Sequence, residues 1–205
     1  NPMEPSRIAK QAAADFFGAS ATNAEPVDLT TSKFPWAKRH SFYMAMNAER
    51  RKLLISVDEK GVPYPFEPVS DLSQLDRSSS NMIMLNSILS TEGVNLPEGL
   101  DLPWTSRNVL MGLGGWVGSG AFFSNEESAL HLWTHLSPND GPRLFRQYCK
   151  DPELRRSGEQ WELDFSYFNL RGGVEGWHAH GNQRAILGAT GQTVLPDKTF
   201  LVPYG

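Results

Sequence analysis

Residues 160–168, QWELDFSYF, alternate large apolar side chains with polar ones. Because successive side chains of a strand point to opposite faces of a sheet, this alternation predicts a strand with one buried face and one face toward solvent. A turn at 171–173 follows, and residues 174–180 are predicted to form the antiparallel partner strand. The buried face of the first strand would consist of Trp161, Leu163, Phe165 and Tyr167.

Together with the rest of the sequence, this strand pair predicts an α+β fold in a single domain of residues 1–205. The C-terminal third is expected to be β-rich, and to close as a small barrel if its strands curl, with further strands at 184–188, 193–195 and 199–202. A helical middle segment is expected at 71–90, 124–136 and 142–149. Nearer the N-terminus, we expect a helix at 5–18 and two strands at 41–46 and 52–57.

Composition limits the partner and the compartment. The chain has 19 Lys and Arg against 23 Asp and Glu, a net charge of −4, so nucleic-acid binding is not favoured. The single cysteine, Cys149, cannot form an internal disulfide and is expected to be a half-buried structural thiol. The first residues are too polar for the apolar part of a signal peptide. We therefore expect a cytoplasmic protein.

Four of the five histidines fall in pairs with metal-ligand spacing. His178 and His180 are two apart on a predicted strand and would share one face. His131 and His135 are four apart on the predicted helix 124–136, one turn from each other. Each pair has a plainer interpretation: the helical pair could belong to a solvated polar face, and one ring of the strand pair could be buried and hydrogen-bonded.

The spacing of Gly172, His178, His180, Arg184 and Gly191 resembles the first signature of the cupin superfamily. The segment 195–205 is similar to the strand that enters the second signature. The resemblance implies a small β-barrel with His178 and His180 as ligands of a divalent metal, in an enzyme such as a dioxygenase, isomerase or decarboxylase. Arg184 stands where the family has an acidic ligand.

Chemistry at the strand pair needs more than two imidazoles. A divalent ion requires at least one further donor, for which the chain offers Glu175, His40, His131 or His135. Two histidines and a carboxylate would suit iron and oxygen chemistry, whereas three histidines and a water would suit zinc hydrolysis; both stay open. A guanidinium cannot ligate metal, so Arg184 is expected to hold a substrate carboxylate.

The apolar, glycine-rich run at 109–123 matches no nucleotide-binding glycine spacing. It could touch a membrane surface or form a buried strand or turn.

The sequence as a whole suggests three functions. The first is a metal-dependent enzyme acting on a small organic substrate, with Arg184 and Glu175 as catalytic groups and iron or zinc as cofactor. The alternatives are a non-enzymatic binding or protein-interaction module with structural histidines, and a membrane-surface protein. Homo-oligomerisation is left open.

Overall fold

The computed structural model describes residues 3–18, 27–28, 34–69, 71–73, 75–76, 79–112, 120–122, 143, 147–169 and 172–199. Two antiparallel sheets and several helices make an α+β fold with a β-rich C-terminal third, as predicted. The helices are α1 (Pro5–Phe17), α2 (Ser80–Glu92), α3 (Leu102–Trp104) and a π-helix (Thr105–Val109). The strands are β1 (Val27–Asp28), β2 (His40–Met46), β3 (Lys52–Asp58), β4 (Pro63–Phe66), β5 (Leu75–Asp76), β6 (Gly120–Phe122), β7 (Glu153–Ser157), β8 (Gln160–Asn169), β9 (Val174–Asn182) and β10 (Ile186–Leu195).

The N-terminal sheet has the strand order β1-β2-β3-β4 and is covered on both faces. Three alanines of α1, Ala9, Ala12 and Ala13, pack against one face, and the other face joins the main core. Burial on both sides explains why β2 and β3 are apolar almost throughout. Strand β4 was not expected, because Pro63 and Pro65 argue against a strand; it is accommodated at the sheet edge, where a proline need not donate to a neighbour.

Helix α2 begins later than the predicted 71–90. The hydroxyl of Ser79 accepts a hydrogen bond from the Met82 N–H at 3.2 Å and caps the helix. Ser79 and Ser80, which the predicted helix 71–90 would place in its middle, therefore lie at the start of the observed helix, and the residues before them include the short strand β5. The helix ends at Gly93, whose φ of 68° is the left-handed conformation typical of a C-cap glycine.

Two asparagines of α2 tie the sheets together. The Asn81 side chain donates to the carbonyls of Glu67 and Leu110 at 2.7 and 3.1 Å and accepts from the Glu67 N–H at 3.0 Å. The Asn86 side chain donates to the Ile186 carbonyl at 2.8 Å and accepts from the Ile186 N–H at 2.9 Å. A single apolar cluster links the inner faces of both sheets with α2 and residues 109–111. These contacts fix the C-terminal sheet against the rest of the fold.

The C-terminal sheet runs β5-β10-β9-β8, and both β6 and β7 pair with the far edge of β8. The alternation predicted for β8 is confirmed as far as Asp164, since the four apolar side chains lie in the core and Glu162 is exposed, whereas Ser166 and Phe168 on the other face are also buried. Strand β10 is continuous, with two irregularities, where separate short strands were predicted. Among the described strands β5 pairs with neither β6 nor β7, so the small barrel is wrong and the sheet is open.

Several predicted elements lie outside the described residues. They are the helix at 124–136 with both of its histidines, most of the helix at 142–149 and the end of the strand at 199–202. The start of the glycine-rich run is core, because Val109, Leu110 and Met111 are buried, and its residues 120–122 form β6. Residues 113–119 and 123 of that run are outside the described part.

Candidate functional site on the outer face of the C-terminal sheet

The outer face of the C-terminal sheet carries two rows of polar side chains. In β8 and β9, Glu162 is the register partner of His180, and Asp164 is the partner of His178. Strand β10 continues the second row with Thr190, opposite His178. Because side chains directly opposite each other in an antiparallel pair have neighbouring Cβ atoms, the register brings both imidazoles beside carboxylates.

His178 is held by a carboxylate. Its Nδ1 lies 2.9 Å from Asp164 Oδ1, and Asp164 Oδ2 accepts from the guanidinium of Arg155 at 2.6 Å. Burial raises the pKa of Asp164, but the hydrogen bonds from His178 and Arg155 outweigh this effect and bring the pKa below its ordinary value. Asp164 is therefore ionised at neutral pH and orients the His178 ring with Nε2 left available.

His180 stands beside this pair. The ring centroids of His178 and His180 are 6.1 Å apart and their planes are inclined by 28°. The imidazole of His180 has no hydrogen-bond partner among the described residues. It lies across β10 at Gly188, where a Cβ would come within 2.5 Å of His180 Nε2. The glycine thus leaves the space that the ring occupies.

A groove follows the two rows and widens on either side of His178. One part, of about 820 Å³, contains both histidines together with Asp76 and Glu162. The other, of about 700 Å³, contains Lys150, Glu153, Arg155 and Asp164. Four carboxylates against two cations leave the described lining with a charge of −2 when the histidines are neutral. Such a groove attracts cations.

Glu175, expected as a catalytic group or third ligand, lies on the opposite face of the same strand. It is 6 % exposed and forms a two-pronged ion pair with Arg107, from Nε to Oε2 at 2.5 Å and from Nη2 to Oε1 at 3.1 Å. Trp177 donates its indole N–H to Glu175 at 2.9 Å, and the guanidinium of Arg107 lies 4.6 Å from the ring centre of Tyr167. The structure thus separates Glu175 from the histidine pair and encloses it in the core.

The other predicted site residues are dispersed. Arg184 is exposed in the turn between β9 and β10 and does not belong to the described lining of the groove. His40 belongs to the N-terminal sheet, where Glu92 binds it. His131 and His135 lie outside the described residues. Of the predicted site residues that the structure describes, only His178 and His180 are brought together on one accessible surface.

The sequence reasoning did not identify the carboxylates of β8 or the buried Arg107 as partners. The signal for Glu162 and Asp164 was present, because the alternation of β8 places both on the polar face. No local signal marks Arg107, which lies 68 residues before its partner and in a π-helix, a conformation often found at functional sites.

As the side chains stand, no three His, Cys, Asp or Glu residues of the described part are grouped to hold a metal ion. The two imidazoles supply donors, and Glu162 is the nearest carboxylate in register that does not hold a histidine. None of the helices in the described ranges is long and apolar enough to cross a membrane. The chain matches no family model, no curated protein and no solved structure.

Proposed function

We propose that this protein is a metal-dependent enzyme that holds a divalent ion with His178 and His180 and acts on a small organic molecule in the outer groove. The observation that carries the proposal is the hydrogen bond from His178 Nδ1 to Asp164, with the His180 ring beside it and without a hydrogen-bond partner among the described residues. Metal-binding histidines usually donate their second ring N–H to a carboxylate, which orients the ring and raises its basicity. His178 already has this arrangement.

Glu162 is the third donor that the register offers, directly across from His180. One of its carboxylate oxygens lies 3.5 Å from the guanidinium of Arg155, so Glu162 must turn away from that contact to reach an ion between the imidazoles. The side chains of Arg155 and Glu162 are 44 % and 55 % exposed, and breaking such an exposed pair costs about 1 kcal/mol or less. Water would occupy the remaining positions around the ion.

Two imidazoles and a carboxylate suit zinc and iron(II). Zinc would supply a water of lowered pKa for hydrolysis, and iron with open positions would supply oxygen chemistry. The choice between them stays open, as it does from the sequence. The net negative charge of the groove supports binding of either cation.

The substrate clamp expected at Arg184 is better supplied by Lys150. Lys150 lies in the groove with His178, and its ammonium forms no ion pair within the described residues, whereas Arg155 is shared among Glu153, Glu162 and Asp164. An ammonium without a partner in a groove is a binding point for an anionic group. We expect a substrate carboxylate at Lys150, with the reacting end near the imidazoles.

The test is calorimetric titration of metal-free protein with Zn²⁺ and with Co²⁺, whose visible absorption reports the geometry of its ligands. One ion should bind per chain, and H178A and H180A should each weaken binding about tenfold or more. Q192A, which removes a neighbouring groove side chain that is not one of the proposed ligands, should bind as the wild type does. Absence of saturable binding, or equal binding by all variants, would refute the metal site.

The same titration of H131A/H135A separates the two histidine pairs. Unchanged binding supports the assignment to β9. Loss of the ion in H131A/H135A together with its retention in H178A would instead assign the metal to the helical pair and overturn the proposal. A non-enzymatic binding module, the alternative from the sequence, predicts a groove ligand whose affinity is independent of added metal.

A further inference from the structure

The imidazole of His40 lines a separate cavity, which lies between the N-terminal sheet and α2. The cavity has a volume of about 310 Å³, at the small end of ligand sites in proteins. His40 at the start of β2 lines it, together with Asp58 at the end of β3 and the turn that follows, while α2 supplies part of the wall. It shares no lining residue with the outer groove.

The ring of His40 is fixed from behind. Its Nδ1 lies 2.8 Å from Glu92 Oε1, and the same carboxylate accepts the backbone N–H groups of Lys38 at 2.8 Å and Arg39 at 2.6 Å. Only 6 % of the His40 side chain and 1 % of the Glu92 side chain are exposed. Because Nδ1 is engaged, Nε2 is the free ring nitrogen, and it has no hydrogen-bond partner in the described part of the chain.

The charged side chains around the cavity differ in the number of partners that they have among the described residues. The carboxylate of Asp58 accepts the N–H groups of Lys60 and Val62 at 2.9 and 2.8 Å and the Tyr64 hydroxyl at 3.2 Å. Arg39 and Lys60, by contrast, form no ion pair within the described residues. The remaining acid of the lining, Glu59, is exposed in the turn and is likewise without an ion pair there.

Two exposed cations, Arg39 and Lys60, and one imidazole nitrogen of the lining thus have no partner among the described residues. Of the two carboxylates, Asp58 already accepts three hydrogen bonds, which leaves the exposed Glu59 as the only lining acid there without a partner. We propose that the cavity is a second ligand site, which takes a small oxyanion such as a phosphate group. Arg39 and Lys60 would bind its charge, and Nε2 of His40, whose ring is held by Glu92, would form the third hydrogen bond. The site is independent of the metal proposed for the outer groove.

The experiment follows the histidine ring resonances of metal-free H178A/H180A protein by NMR during titration with inorganic phosphate. This variant lacks both histidines of the outer groove, so phosphate bound in that groove cannot shift a histidine resonance that would be mistaken for the His40 resonance. We expect a saturable shift of the His40 resonance, assigned by its loss in H40Q. The double substitution R39A/K60A should weaken phosphate binding about tenfold or more, the effect of losing at least one charge-assisted hydrogen bond.

The matched control is R7A/K10A, which removes two exposed cations from α1 and makes the same change in net charge. This control should leave the phosphate affinity unchanged. Equal weakening by both double variants would mean that phosphate responds only to the total charge of the protein, and would overturn the site. So would the absence of any saturable shift at His40 while circular dichroism shows the protein to be folded.

Discussion

Substitution of Glu175 by glutamine would decide whether this residue supports the fold or takes part in chemistry. Glu175 and Trp177 project from the inner face of β9, behind the strand surface that carries His178. In the variant, the amide keeps the shape of the carboxylate but cannot balance the charge of Arg107. The Arg107 side chain is 10 % exposed, so solvent would screen its unpaired charge poorly.

The magnitude follows from that burial. Removing one partner of a buried ion pair costs about 3–5 kcal/mol, because an uncompensated charge stays in the core. The glutamine oxygen can still accept one of the hydrogen bonds, which places E175Q near the lower end, at about 3 kcal/mol. For a chain of this length that corresponds to a melting temperature lower by about 6–12 °C.

The assay is urea unfolding followed by circular dichroism, combined with zinc titration of the folded variant. E175Q should lose stability and retain the zinc affinity of the wild type. The double variant R107M/E175L, which replaces both charges by apolar side chains, should recover most of the loss. A cost below about 1 kcal/mol together with lost zinc binding would refute this reasoning and return Glu175 to the site.

Three further predictions test the groove, the buried carboxylate of α2 and the thiol. D164N should weaken zinc binding about 10–100-fold, and G188A should weaken it because the added Cβ displaces His180; urea midpoints should show that both variants fold normally. Burial raises the pKa of Glu92, but the hydrogen bonds it accepts outweigh burial and bring the pKa below the ordinary 4.5. The ionised Glu92 carboxylate therefore stabilises the fold above about pH 4.5, and this stabilisation is lost as the pH falls below that value. The difference in urea midpoint between wild type and E92Q should accordingly narrow on acidification. A difference that stays constant with pH would contradict the lowered pKa of Glu92. Burial raises the pKa of Cys149 to about 12, so a thiol reagent at about pH 8 should label it only at the rate of unfolding.

The period-two pattern of β8 and β9 predicted the faces of the sheet correctly but was applied incompletely. By that pattern Trp177 points to the face opposite His178 and His180, and the structure places Trp177 in the core. The same parity places Glu175 with Trp177, behind the sheet, so the sequence already contained the reason to doubt it as a third ligand. The odd or even position of a residue in a strand identifies the sheet face that its side chain occupies. It does not identify the residue that lies opposite it on the next strand.

The neighbour is set by register, which local sequence does not contain. The pairing of Asp164 with His178 depends on the turn between β8 and β9, and a slip of one residue would move every polar side chain of β8 to the core. The partner of Arg107 depends on contacts between distant segments. The predicted start of α2 was wrong for a different reason. A serine that is unfavourable inside a helix is favourable at its N-terminus, and only the tertiary contacts decide which of these two positions it takes.

The two histidine–carboxylate pairs show why residue type alone cannot assign function. Both use Nδ1, at 2.9 Å in His178–Asp164 and 2.8 Å in His40–Glu92. The first lies on an open sheet face, where its side chains are about 40 % exposed and can rearrange around an ion. The second is almost fully buried, and its carboxylate also holds two backbone N–H groups, so its ring is fixed and can bind only what enters a small cavity. On the proposed assignments, the same hydrogen bond would support an adaptable metal ligand in one place and a rigid hydrogen-bonding group in the other, and the response of the two sites to zinc and to phosphate measures that distinction.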